Sequence, residues 1–222
     1  MPDIRIKIIV PVPLPPEAVA GFAAQMPPGL VRPGIAVDFT GIRAGTTCLD
    51  SQFEATLADA FCLEAGIRAE QEGYAAICLN SMSDSGLAAL RSRLSIPVTG
   101  PGRASFHLAA DLGKRFSVVT MWPRWRWIYD KLALETGLGD RLASVRDIGV
   151  RPDTQELLSG KEDSVFALLE AECRKAIDED GADVIVLGST TMHQSHRYLS
   201  ERLEVPVLNP GLVAYKQCEM LL

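Results

Sequence analysis

Gly73-Tyr74-Ala75-Ala76-Ile77-Cys78-Leu79-Asn80-Ser81 is matched, position by position, by Gly181-Ala182-Asp183-Val184-Ile185-Val186-Leu187-Gly188-Ser189. In each block a glycine opens a short apolar run of strand length, and the run closes on a polar turn carrying a serine. Such a run, bounded by turn residues, reads as a strand buried on both faces of a parallel sheet. Each block is followed by a helical stretch with a leucine-rich end, then by Ile96-Pro97-Val98 or Val205-Pro206-Val207, then by Pro101 or Pro210. Two generic strand–helix units could coincide over the apolar run alone. The shared Pro-Val after the helix favours duplication, with one lobe built on each copy.

Outward from the repeat, strand-length runs alternate with amphipathic stretches. Strand candidates are Ile4–Val10, Ile35–Thr40, Ala75–Leu79, Pro97–Thr99, Ser117–Thr120, Ser144–Gly149, Val184–Leu187 and Pro206–Leu208. Helix candidates are Glu54–Glu72, Leu87–Leu94, Trp127–Gly137, Ser164–Asp180 and His196–Leu203. This alternation predicts an α/β fold of two pseudo-symmetric lobes, each a mainly parallel sheet flanked by helices. The expected division is 1–101 with 210–222, and 102–209.

The 222 residues suit one large domain or two closely joined small ones. With 47% apolar and 23% charged residues, the chain has the make-up of a globular protein with a core. A net charge of −6 without basic blocks argues against nucleic acid as a partner. No run reaches the ~18 apolar residues of a membrane helix, so no membrane partner is expected. The start alternates as a strand and does not read as a signal peptide. Five cysteines without a CxxC pair give neither a disulfide framework nor a metal site, and fit a reducing cytoplasm.

In parallel sheets, ligands bind beyond the carboxyl ends of the strands. Ser81 and Ser189 fall there, each followed by a hydroxyl-rich segment: Met82-Ser83-Asp84-Ser85-Gly86 and Thr190-Thr191-Met192-His193. Hydroxyls and open backbone N–H groups at a helix start hold carboxylates and oxyanions. The competing reading makes these residues simple helix N-caps. If a helix starts at Ser189, His193 lies one turn on and within reach of its hydroxyl, giving a Ser–His nucleophile.

Several blocks together resemble the aspartate/glutamate/hydantoin racemase superfamily, in particular its hydantoin racemase branch. They are the stretch ending Asp84-Ser85-Gly86-Leu87; Lys114-Arg115-Phe116-Ser117-Val118-Val119-Thr120; Asp140-Arg141-Leu142-Ala143-Ser144-Val145-Arg146; and Gly181–Met192 with Val205-Pro206-Val207. The resemblance implies an active site in the cleft between two lobes, with no cofactor. It also implies two facing cysteines that exchange a proton at the substrate α-carbon; here Ser81 and Ser189 stand at the matching positions. A hydroxyl is a far weaker acid than a thiol and a poor base for a C–H proton unless activated.

The implied substrate is a small carboxylate or a cyclic amide or ureide. Around it the resemblance and the loop positions place Pro11, Cys48, Asn80, Met82, Ser83, Trp122, Thr190 and Thr191. Ser83 and Trp122 match pocket residues of the arylmalonate decarboxylase branch. Pro11-Val12-Pro13 replaces an asparagine-bearing turn common in hydantoin racemases. Cys62, Cys78, Cys173 and Cys218 read as core. The cluster Trp122–Trp127 is expected to pack against its surroundings or a second subunit, in keeping with a homo-oligomer. Three functions compete: a racemase-like enzyme with altered chemistry, a hydrolase or lyase using Ser189 with His193, and a carboxylate-binding protein without catalysis.

Overall fold

The computed structural model describes residues 4–24, 26–152 and 162–222. They form two compact units, Met1–Pro101 with Ala214–Leu222, and Gly102–Val213. The first unit runs β1 (Ile4–Val10), α1 (Pro16–Ala24), β2 (Ile35–Gly41), α2 (Gln52–Gly66), β3 (Ala76–Leu79), α3 (Leu87–Arg91) and β4 (Val98–Thr99). Helix α4 (Pro101–Leu112) leads to β5 (Phe116–Thr120), α5 (Arg126–Thr136), β6 (Leu142–Asp147), α6 (Phe166–Asp178), β7 (Val184–Leu187), α7 (His193–Ser200) and β8 (Val207–Leu208). Helix α8 (Pro210–Met220) closes the chain.

Both sheets are parallel, with the orders β2-β1-β3-β4 and β6-β5-β7-β8. The two units therefore share one topology, and the repeated blocks supply β3 and β7. Each of these strands lies inside its sheet and is buried at all four residues, which is why both read as unbroken apolar runs. Around them pack Ile9, Cys62, Leu90 and Val98 in the first unit. In the second, Val119, Leu169, Cys173 and Leu199 do the same.

Among the described residues, three helices lie where the sequence suggests none. Two of them, α4 and α8, open on Pro101-Gly102 and Pro210-Gly211. A Pro-Gly pair reads as a turn, but proline is well suited to the first helical position because its missing N–H would be unpaired there anyway. The third, α1, also begins at a proline, Pro16. Conversely α2 stops at Gly66, short of Glu72, and the chain goes on as turns held by Ala69 N–H to Gly66 O and Gly73 N–H to Glu70 O. Helix α7 begins at His193, earlier than the expected His196.

One ion-pair network ties β6 to α6 and the turn after it. Arg146 meets Asp180 through Nε and Nη2, at 2.6 and 2.9 Å, and also reaches Glu179 and Glu172. The paired carboxylates hold the guanidinium protonated and push its pKa up.

Candidate active site

In the order β2-β1-β3-β4 the chain first steps to one side of β1 and then returns to the other, so the strand order reverses between β1 and β3. Ligands of open parallel sheets bind outside the carboxyl ends at such a point. The register pairs Ile9 with Leu79, and Asn80 N–H donates to Ile9 O at 2.9 Å. Pro11 and Ser81 thus leave the sheet side by side. The second unit repeats this: Val119 pairs with Leu187, and Gly188 N–H donates to Val119 O at 2.9 Å. Ser189 leaves beside Met121 and Trp122.

The two serines sit in the same local structure. Ser83 N–H donates to Ser81 Oγ at 3.3 Å, and the Ser81 and Ser83 hydroxyls are 2.9 Å apart. Thr191 N–H donates to Ser189 Oγ at 3.3 Å, and the Ser189 and Thr191 hydroxyls are 2.9 Å apart. Each is a side-chain turn in which a serine oxygen takes the N–H two residues on. Neither serine is a helix N-cap: Gly86 and Met192 hold those places for α3 and α7. The N–H groups expected to stand open at a helix start are, at Ser83 and Thr191, spent on the serines themselves.

The first loop extends further, with Ser83 and Ser85 hydroxyls at 2.8 Å. Ser83, Asp84 and Ser85 are buried while Ser81 is partly exposed, so a line of three hydroxyls runs inward from it. Asp84 takes a positive φ of 51°, a conformation aspartate tolerates better than most residues. Its carboxylate lies against Gly100, where a Cβ would come within 2.4 Å of Oδ1.

In the second unit the strand end is braced from below. The Tyr129 hydroxyl, fully buried, donates to Gly188 O at 2.7 Å and bonds Thr120 Oγ1 at 2.9 Å. A Cβ on Gly188 would stand 2.5 Å from that hydroxyl, so the residue before Ser189 must be glycine for the turn to seat.

Because α7 starts at His193, the helical turn that would carry the His193 ring over Ser189 is not formed. Ser189 Oγ bonds Thr191, and His193 Nδ1 instead takes Asn209 at 2.8 Å. Burial, with a smaller effect from the charge of His196, pushes the His193 pKa down to about 4, so the ring is neutral. The next histidine, His196, bonds Val207 O at 3.1 Å. Asn209 escaped sequence reasoning, although Asn before Pro at the head of a helix is an N-cap signal.

The other candidates lie as follows. Met82 and Thr190 are buried beside their serines, and Asn80 is half-buried at the end of β3. Pro11 is buried at the end of β1. Trp122 is partly buried after β5, with its indole N–H enclosed. Cys48 is half-buried, and Thr46 Oγ1 donates to its carbonyl at 2.8 Å. Cys62, Cys78, Cys173 and Cys218 are core residues whose thiols burial pushes up, Cys173 to about 12 and Cys218 to about 11. Among the described residues no group of His, Cys, Asp and Glu is placed to hold a metal ion, and no helix is long and apolar enough to cross a membrane.

The Asp/Glu/Hydantoin racemase family model matches residues 18–218. The chain belongs to this family. A hydantoin racemase from Paenarthrobacter aurescens is 30% identical over 211 residues, covering 92% of this chain and 84% of its own length. Among solved structures, allantoin racemase from Klebsiella pneumoniae superposes with a TM-score of 0.85 at 28% identity, covering 98% of this chain and 87% of that one. Allantoin racemase from Pseudomonas fluorescens gives 0.86 at 25% identity, covering 98% and 90%. As a racemase-superfamily enzyme, the chain has an α/β fold of two parallel four-stranded sheets flanked by helices, like that of its neighbours.

Proposed function

We propose that this family member is a cofactor-independent enzyme acting on a cyclic ureide or small carboxylate, at a stereogenic carbon next to a carbonyl. Each serine turn is a hydroxyl site for substrate, at a position where a thiol would stand. The supporting observation is their identity of geometry: each serine oxygen accepts the N–H two residues on and faces a second hydroxyl at 2.9 Å. Hydantoin and allantoin, named for the relatives above, both carry an acidic C–H beside a ring carbonyl. When that C–H bond breaks, its proton passes to solvent water or hydroxide and the electron pair it leaves moves towards the carbonyl oxygen. Preorganised hydroxyl donors stabilise charge that develops there.

A serine-dependent hydrolase finds less support. Its nucleophile would need His193 as base, and in this arrangement His193 is bonded to Asn209 and neutral.

The test is exchange of the α-proton in D2O, followed by NMR, with single enantiomers of 5-substituted hydantoins and of allantoin. Enzyme-dependent loss of the α-proton signal together with loss of optical activity is the expected result. If some of these ligands raise the melting temperature yet none exchanges above the uncatalysed rate, the enzymatic reading fails in favour of a binding protein.

A further inference from the structure

Asn209 is 3% exposed and its amide is used at both ends. Gly211 N–H and Leu212 N–H donate to Oδ1 at 3.1 and 3.3 Å, capping α8. Two donors on that atom settle which end of the amide is oxygen, since nitrogen there would meet two N–H groups. The NH2 group therefore points at His193 Nδ1, 2.8 Å away. A donor facing Nδ1 requires a lone pair on it, and in a neutral imidazole the single proton is then on Nε2.

We propose that Asn209 is a positioning residue that locks His193 as a neutral imidazole with its proton on Nε2, leaving Nε2–H as the ring's donor and removing Nδ1 as a base. The expected effect on turnover rests on the function proposed above; the lock itself does not. The repeat underlines the arrangement. Position 100, equivalent to 209, is a glycine against which Asp84 lies, whereas the second unit fills that position with the side chain that orients His193. A neutral donor suits a carbonyl oxygen gaining charge, because it stabilises the oxyanion without a counter-charge to desolvate.

The decisive variant is Asn209→Asp. It keeps an oxygen for the two helix-capping N–H groups but offers His193 an acceptor in place of a donor. Long-range 1H–15N correlation on the full-length 15N-labelled protein reads the tautomer, with His193→Gln assigning the signal. The wild type is expected to show the Nε2–H form from pH 5 to 8, and Asn209→Asp to show Nδ1 protonated with a raised His193 pKa. In the exchange assay, Asn209→Asp is expected to lower kcat roughly tenfold or more with KM changed far less. An Nδ1–H tautomer in the wild type would overturn the lock. A switched tautomer with unchanged kcat and pH profile would overturn its role in turnover. Absence of exchange in the wild type would sink the proposed function and leave the tautomer result standing by itself. Should Asn209→Asp not fold, Asn209→Ser, which retains a capping oxygen, is expected to show a mixture of tautomers; a pure Nε2–H signal there would also overturn the lock.

Discussion

Ser81 and Ser189 are hydroxyls whose oxygens are already engaged, and this shapes what their removal should do. Ser81→Ala or Ser189→Ala deletes one hydroxyl and leaves the N–H of Ser83 or Thr191 unpaired. Loss of a preorganised donor at a developing oxyanion costs about a hundredfold in rate, so each variant is expected to fall by that order in the exchange assay while retaining its fold. His193 makes a separate prediction through stability. Its folded pKa of about 4 lies below its ordinary 6.5. Between those values the unfolded chain binds the proton that the native chain refuses, so stability falls as pH drops through the window and is level above it. Partial exposure limits the effect to about 1–3 kcal/mol. Urea midpoints at pH 7.5 and 5 are expected to differ by more in the wild type than in His193→Gln, which cannot titrate; His196, shifted down by burial in the same sense, supplies a remaining slope. Equal pH dependence in the two proteins would contradict the assignment.

At the level of elements, the turn after β7 depends on close approach more than on hydrogen bonding. A Cβ on Gly188 meets Thr120 and the Tyr129 hydroxyl within 2.5 Å, and all three groups are buried. Gly188→Ala is therefore expected to cost about 3 kcal/mol by overpacking. Tyr129→Phe removes one hydroxyl, leaves Gly188 O without its donor, and is expected to cost about 1–2 kcal/mol. Chemical denaturation of the two variants checks the order; a harmless Gly188→Ala would mean the strand end can shift. The apolar runs of β3 and β7 were plain in the sequence because both faces are buried and every residue had to be apolar. The starts of α4 and α8 were not, because Pro-Gly carries opposite meanings in a turn and at a helix head. The start of α7 at His193 is where that side chain meets Asn209, a tertiary contact that no local propensity announces.

Over the whole molecule, the five cysteines give a simple check of the core. Four are buried at no more than 2% exposure and one, Cys48, is half-buried. A thiol reagent such as DTNB is expected to modify one cysteine in the native protein and five in denaturant; reaction of a second native thiol would place a break in one of the two cores.

The α/β class, the repeat and the positions of the two serines followed from the sequence alone, because strand burial and the strand-end turn impose a pattern on consecutive residues. The racemase resemblance rested on the same local blocks, and the family match agrees with it. What needed the tertiary structure was every relation between residues distant in the chain. These include the Tyr129 brace under Gly188, the Asp84 carboxylate against Gly100, and the Asn209 amide that orients His193. Such pairs arise from packing of separate elements, and a hydrogen bond across 16 residues leaves no period in the sequence to read.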